Sequence, residues 1–393
     1  MEVTLLIKYG LNENMSVDIT KQVVPSYITK NILNIPSNKF YSFAPPTFFP
    51  EMTKFLFFNC KINGIEKKRC YIDDGEDVLI DLQKIQDFES QKKIIIGAPE
   101  FTFGSGGIVC LHYLAQILSK YGYDAYLYPR QNMINPLFNK FYNENIVNDN
   151  TPVIYPETYK GNILNAKNVI RWILAPVGIV AKKEIVYSWN KQDLVYYYNN
   201  EQKITDNPDK KGSVYKMLST IFLNPLTKNK NNSNRKECCF TIRKHHIHKI
   251  MYQIHPNGAF ELLGRHDQIQ CIDIFNNYKY FVCYDPMCFL VVIAAICGCI
   301  PIVYPIEGVT KKEWIYNSGV SHYCKQKNLD NLFGIAYGQD DIEWAKSTIH
   351  LVEQQWKDII KFNIETNFKT LVEDLNHLED GTLQNTVENN YLK

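Results

Sequence analysis

The chain lacks any long hydrophobic run. Its most apolar stretch, residues 289–303, is broken by Gly298 and Pro301 and falls short of the roughly 20 apolar residues that span a bilayer. That stretch reads as a buried helix followed by a buried strand. The opening MEVTLLIKYG has neither the charged start nor the extended apolar core of a signal peptide. Charge of one sign is not in excess either: 43 basic residues against 41 acidic ones leave a formal net charge of +2. This balance provides no field for a nucleic-acid backbone, and no long polybasic run adds one. The 11 cysteines are odd in number and follow no disulfide-framework spacing, the pattern of free thiols in a reducing compartment. Neither His245, His246 and His248 nor Cys283, Cys288, Cys297 and Cys299 have the ligand spacing of a structural zinc site. No Asp-x-Asp pattern lies in a loop suited to holding a metal on a diphosphate. Together these absences predict a cytoplasmic protein with no transmembrane segment, no nucleic-acid partner, no metal and no cofactor.

What is present suits a globular fold. Hydrophobic residues make up 45% and charged residues 21%, a mix that folds rather than stays disordered. A length of 393 residues is enough for two or three domains. Residues 1–88 have strand character, with VTLLIKYG, FLFFNCKING and KKRCYIDDGEDVLIDL separated by Pro, Gly and Asn turns. They predict a small β-rich, sandwich-like accessory module. From residue 92 the texture changes to KKIIIGAP, a strand, then FGSGG, a turn, then IVCLHYLAQILSKYG, a helix capped by Gly122, then the strand DAYLYP. This is a β-α-β unit with a glycine-rich first turn. VIYPE reads as a further strand, NAKNVIRWIL as a helix, EIVYSW and DLVYYY as strands, and TKNKNNSNRK at 227–236 as a polar loop or hinge. A second α/β unit follows: strands in ECCFTIRK, HPNGAFELLG, YFVCYDP and PIVYP, with helices in HDQIQCIDIFNNYK and FLVVIAAICGC. The expected fold is α/β, two Rossmann-like domains at 92–230 and 237–340 facing a cleft, with C-terminal helices at 341–380 packing across both.

Several residues have the chemistry and position of ligand contacts. Gly104, Gly106 and Gly107 precede a helix whose N-terminal amides can meet a ligand, or they simply form a tight turn. They complete only half of the dinucleotide fingerprint, because its third glycine position is Val109. Ligands of open α/β sheets sit at the carboxyl ends of strands. Arg243 and Lys244 end one such strand and offer two cations to a diphosphate, or are a solvated strand end. Asp285, followed by Pro286, ends another; its carboxylate can accept sugar hydroxyls or cap the next helix. Glu307 and Gly308 end a third.

The segment YDPMCFLVVIAAICGCIPIVYPIEGVTKKEW, followed by GIAYGQDDIEWA, resembles the donor-half signature of a group of GT-B glycosyltransferases. That group is found beside bacterial surface-polysaccharide genes and in some giant viruses. VIYPETYKGNILNAKNVIRWIL resembles its acceptor-half signature, and the likeness covers roughly residues 92–375. The resemblance implies transfer of a sugar from a UDP- or GDP-sugar to a glycan or other hydroxyl acceptor, in polysaccharide biosynthesis. Residues 92–230 would take the acceptor and 237–340 the donor. Arg243 and Lys244 would face the diphosphate and Asp285 the donor sugar or its phosphate, with Pro286, Glu307, Gly308 and Val309 nearby. Similar enzymes carry a second carboxylate eight residues after the first, to hold the ribose; here that position is Ile293. The common NRPG is APVG at residues 175–178. An inverting mechanism would need a general base, for which His112 and Glu157 are the candidates in the acceptor half; a retaining one would not. A sugar-nucleotide epimerase on the same scaffold, or an inactive sugar-nucleotide-binding protein, are the alternatives.

Overall fold

A computed structural model describes residues 3–10, 16–29, 32–36, 39, 42, 55–62, 65–72, 77–81, 92–121, 123–130, 141–142, 150–190, 192–199, 215–224, 226–242, 250–263 and 266–379. The first elements are β1 (Val3–Gly10), β2 (Ser16–Asp18), α1 (Thr20–Tyr27), β3 (Ile28–Thr29), β4 (Ile32–Ile35), β5 (Phe55–Ile62), β6 (Ile65–Ile72) and β7 (Val78–Asp81). They build two small antiparallel sheets, ordered β2-β1-β5-β6 and β3-β4-β7. Alternate residues turn inward, as the two-residue period of a strand requires. Ile7 and Tyr9, Leu33 and Ile35, and Leu56, Phe58 and Cys60 are buried together, with Ile19, Val23 and Val78 completing this core. Thr20 Oγ1 accepts the Ile7 amide at 2.8 Å and ties the start of α1 to β1.

Two parallel sheets follow. The first has six strands: β8 (Lys92–Gly97), β9 (Tyr123–Tyr128), β10 (Val153–Pro156), β11 (Val169–Ile173), β12 (Leu194–Tyr197) and β13 (Tyr215–Met217), in the order β13-β12-β11-β10-β8-β9. The helix α2 (Gly106–Lys120) connects β8 to β9, and the short α3 (Lys183–Tyr187) precedes β12. The pairings β8/β9, β8/β10, β11/β12 and β12/β13 are parallel. Two expectations fail here. NAKNVIRWIL holds strand β11, and EIVYSW holds helix α3. Every residue of β11 is buried, and a strand covered on both faces loses the alternation that marks a strand in sequence.

The second sheet has five strands: β14 (Lys236–Thr241), β15 (Phe260–Glu261), β16 (Tyr278–Cys283), β17 (Ile300–Val303) and β18 (Ala336–Tyr337), in the order β15-β14-β16-β17-β18, all parallel. Its helices are α4 (Gln268–Asn277), α5 (Leu290–Ile296), α6 (Lys311–Asn317), α7 (Ser321–Gln326) and α8 (Ile342–Thr348). One face sets Cys239, Phe281, Cys283 and Val303 against apolar side chains of α4, α5, α6 and α7. The other sets Phe240, Val282, Tyr284, Ile302 and Tyr304 against Ile254 and Ala345. Coverage on both faces is the arrangement expected of a parallel sheet.

The described residues end in α9 (Val352–Asn363), a π-helical turn (Ile364–Phe368) and α10 (Lys369–Glu379). Val352, Trp356 and Ile359 of α9 enter the core of the second sheet. Asp374 of α10 accepts hydrogen bonds from Tyr196 of β12 and, at 2.7 and 2.8 Å, from Lys216 of β13. Of the polar 227–236 stretch, residues 227–235 form a loop held by hydrogen bonds and Lys236 opens β14. Arg235 donates to the carbonyls of Phe275, Tyr278 and Cys297 at 2.9, 3.1 and 2.8 Å, and Asn276 bonds to Lys228 and Lys230. Gly298 faces this loop at φ +77°, where a Cβ would lie 2.5 Å from Asn229 Nδ2.

Among contacts along the chain, two compact units emerge. One comprises Met1–Phe101, Leu111–Ile154 and Leu164–Asn168; the other comprises Thr102–Cys110, Tyr155–Ile163 and Val169–Lys393.

Candidate functional site

The strongest concentration of candidate residues lies at the carboxyl edge of the second parallel sheet. Just beyond β16, Asp285 is buried, at 1% exposure. Its Oδ1 accepts the Met287 amide at 3.2 Å, and its carbonyl accepts the Cys288 amide at 3.1 Å, so residues 285–288 form a closed turn. Just beyond β17, residues 306–309 form a second turn, closed by Val309 N–H to Ile306 O at 3.1 Å. Gly308 occupies it with φ +73°, which a side chain rarely tolerates. A Cβ at Gly308 would meet nothing within 4 Å, so the turn is open on that side. Glu307 is exposed.

Two aromatic residues that sequence reasoning did not single out hold these turns. Trp314 of α6 donates its indole N–H to the Pro286 carbonyl at 2.8 Å. The Tyr337 hydroxyl accepts the Ile306 amide at 2.9 Å and donates to the Val309 carbonyl at 3.0 Å. The two rings stack on each other, with centroids 5.2 Å apart and planes 21° from parallel. Asp285 and Pro286 on one turn, and Glu307, Gly308 and Val309 on the other, are thus joined through one aromatic pair. Helix α6 begins with a reciprocal cap between Thr310 and Glu313, which fixes the helix that carries Trp314. Nothing in the local sequence pattern distinguishes Trp314 or Tyr337 from ordinary core aromatics.

Ile293 is fully buried in the core behind this edge, so that position supplies no ligand contact. Arg243 and Lys244, like His245, His246, His248 and Gly122, lie outside the described residues. Strand β14 ends at Thr241, whose carbonyl accepts the Tyr284 amide at 3.1 Å. Among the described residues, no group of three or more His, Cys, Asp or Glu side chains could hold a metal.

A second group forms at the carboxyl ends of β10 and β11. Glu157 follows β10, is 3% exposed, and accepts the Leu174 amide at 3.0 Å through Oε2. Burial raises its pKa above the usual carboxylate range, opposed by backbone donors at Leu174, Glu157 and Ala175. A carboxyl so placed holds its proton more firmly than one in water, the tuning a general acid or base needs. The glycine turn reaches the same place: a Cβ on Gly107 would lie 3.6 Å from the Leu174 Cβ. Gly106 has nothing within 4 Å of its Cβ position, and Gly104 donates its amide to Thr102 Oγ1 at 3.0 Å. None of these three glycines has a positive φ.

His112 is fully buried in α2. Its Nε2 lies 3.0 Å from the Pro99 carbonyl oxygen, and Phe101 meets the ring edge-on at 5.1 Å. Burial pushes its pKa down to about 4, so the imidazole is neutral near pH 7.

Arg171, at the centre of β11, is also buried and was passed over in the sequence. Its Nε donates to Asp193 at 2.8 Å and its Nη2 to the Gly161 carbonyl at 2.8 Å. The guanidinium lies 5.1 Å from the ring centroids of both Tyr155 and Trp189. It pins the loop that follows Glu157. The one available signal was a cation inside the apolar run VIRWIL.

No helix among the described residues is long and apolar enough to cross a membrane. No protein family and no curated protein matches the chain.

Proposed function

We propose that the protein is a glycosyltransferase of the GT-B type, moving a sugar from a UDP- or GDP-sugar to a glycan or other hydroxyl acceptor. The observation that carries the reading is the pair of turns at 285–288 and 306–309, braced by Trp314 and Tyr337 at the carboxyl edge of a parallel sheet. That edge is where open α/β sheets bind ligands. In this reading Asp285 and Glu307 accept hydroxyl groups of the donor, and the open side of Gly308 admits the donor close to the backbone. Arg243 and Lys244, next along the chain from β14, neutralise the diphosphate without a metal. The buried Ile293 gives no ribose contact, which leaves Glu307 as the carboxylate for that task. On the acceptor side Glu157, with its raised pKa, receives the proton of the attacking hydroxyl if the enzyme inverts. His112, buried and held against Pro99, supports the helix beside the glycine turn. The enzyme would act in the cytoplasm, in polysaccharide assembly.

A thermal-shift screen against UDP, GDP and their sugars tests this first, because a ligand that binds only the folded state raises its stability. Stabilisation of several degrees by one nucleotide class, followed by transfer to an added acceptor, is the expected result. No stabilisation by any nucleotide would sink the reading. Conversion of the free donor sugar without an acceptor would turn it into an epimerase.

A further inference from the structure

The turn that carries Asp285 lies between two cysteines, Cys283 at the end of β16 and Cys288 just after the turn. Both residues meet one atom. The Asp285 carbonyl oxygen accepts the Cys283 thiol at 3.1 Å and the Cys288 amide at 3.1 Å. Cys288 lies close enough to push up the Cys283 thiol pKa, after the larger effect of burial. Cys283 is fully buried, whereas Cys288 is only half-buried, packed at the margin of the core. Cys299 acts on the Cys239 thiol in the same way, but both members of that pair are buried.

We propose that Cys283 and Cys288 form an oxidisable dithiol, whose disulfide clamps the Asp285 turn when a low-molecular-weight disulfide such as oxidised glutathione is present. Cys288 is the point of entry. Its thiolate attacks the small disulfide, forming a mixed disulfide and releasing one small thiol. The Cys283 sulfur then attacks the Cys288 sulfur, and the second small thiol leaves with the Cys283 proton. Two protein thiols are oxidised and one small disulfide is reduced to two thiols. Burial holds the Cys283 thiol well above the ordinary thiol range, so it cannot start the exchange. It is suited to the second, intramolecular step. Closure needs the sulfurs to approach to about 2.05 Å, which draws on the turn at 285–288. Pro286 in that turn accepts the Trp314 indole, so closure reaches the aromatic brace. The consequence for donor binding rests on the function proposed above; the chemistry of the dithiol does not.

The full chain, reduced and then incubated with oxidised glutathione, is alkylated and treated with mild acid, which cuts the Asp285–Pro286 bond. The expected product is two fragments that stay joined until dithiothreitol is added. Cys288→Ser should abolish the linkage and Cys239→Ser should leave it intact. Tryptophan emission should shift on oxidation, and Trp314→Phe should remove that shift. Fragments that separate without reductant, a linkage that survives in Cys288→Ser, or glutathione that stays attached to Cys288 would overturn the proposal. An emission spectrum unchanged by a proven linkage would overturn its coupling to the brace. None of these readouts needs a nucleotide, so they fail or succeed apart from the proposed function.

Discussion

Burial decides what the ionisable residues of the first parallel sheet and its helix can do. The His112 pKa falls to about 4 because burial disfavours the charged ring. In the unfolded chain a histidine titrates near 6.5, so between these values the unfolded state binds more protons than the folded one. Stability from this group is fully present above about pH 6.5 and is lost as pH falls toward about 4. Glu157 has the opposite sign, since its raised pKa makes the folded state hold a proton more firmly. A comparison of wild type with His112→Leu isolates the histidine. Urea unfolding at pH 6.5 and pH 5 should show wild type losing about 2 kcal/mol more than the variant; equal losses would mean that His112 is hydrated. At Asp285 the question is fold against chemistry. Its Oδ1 accepts the Met287 amide, a bond that asparagine can also make. Asp285→Asn should therefore keep the melting temperature within about 2 °C, a change of roughly 1 kcal/mol or less, and lose most transfer activity. A fully active variant would assign the carboxylate to the turn alone.

At the scale of elements, the short strand β18 matters more than its two residues suggest. It delivers Tyr337 to the 306–309 turn, and Tyr337 in turn stacks on Trp314 from α6. Tyr337→Phe keeps the stack and removes two hydrogen bonds, which leaves the Ile306 amide and the Val309 carbonyl to find other partners. The expected loss is about 1–3 kcal/mol in urea unfolding, with donor affinity weakened alongside. Unchanged stability would show that water replaces the hydroxyl. This brace was not legible in the sequence, because its members lie far apart in the chain and each reads as a core aromatic. The turns themselves were legible: Asp285-Pro286 and Glu307-Gly308 each follow a short apolar run and stop it. Strand β11 was misread for the converse reason. VIRWI is buried throughout, and its length and apolar content fit a helix as well as a strand. Arg171 within it is tolerated because Asp193 and two aromatic faces take up its charge and Asp193 and Gly161 accept from Nε and Nη2, although Nη1 is buried with no hydrogen-bond partner.

At the scale of the whole molecule, the change of texture near residue 92 marks a change of architecture. Before it the strands pair antiparallel, and after it they pair parallel. Strand-like segments set apart by Pro, Gly and Asn turns made the early strands readable, and strand–helix repeats made the later sheets readable. The order of strands within each sheet was not readable, because it depends on crossovers that local pattern does not encode. Among the described residues, the core that holds Ile7, Leu33 and Phe58 is drawn from residues 1–88. Its ten buried members and its four partly buried ones, Leu5, Val17, Tyr27 and Ile28, all lie between residues 5 and 78. The parallel sheets are filled by other cores, such as the one joining Cys239, Phe281 and Val303 to α5 and α9. A segment that closes its own core can be removed without opening another. A chain beginning at residue 89 should therefore fold with one cooperative thermal transition and bind the nucleotide found in the thermal-shift screen as tightly as the full chain. The contrary consideration is that residues 1–101 share a compact unit with residues 111–154. If contacts within that unit matter more than the closed core, the shortened chain will aggregate or melt without cooperativity, and the β-rich segment will count as part of the same folding unit as residues 111–154.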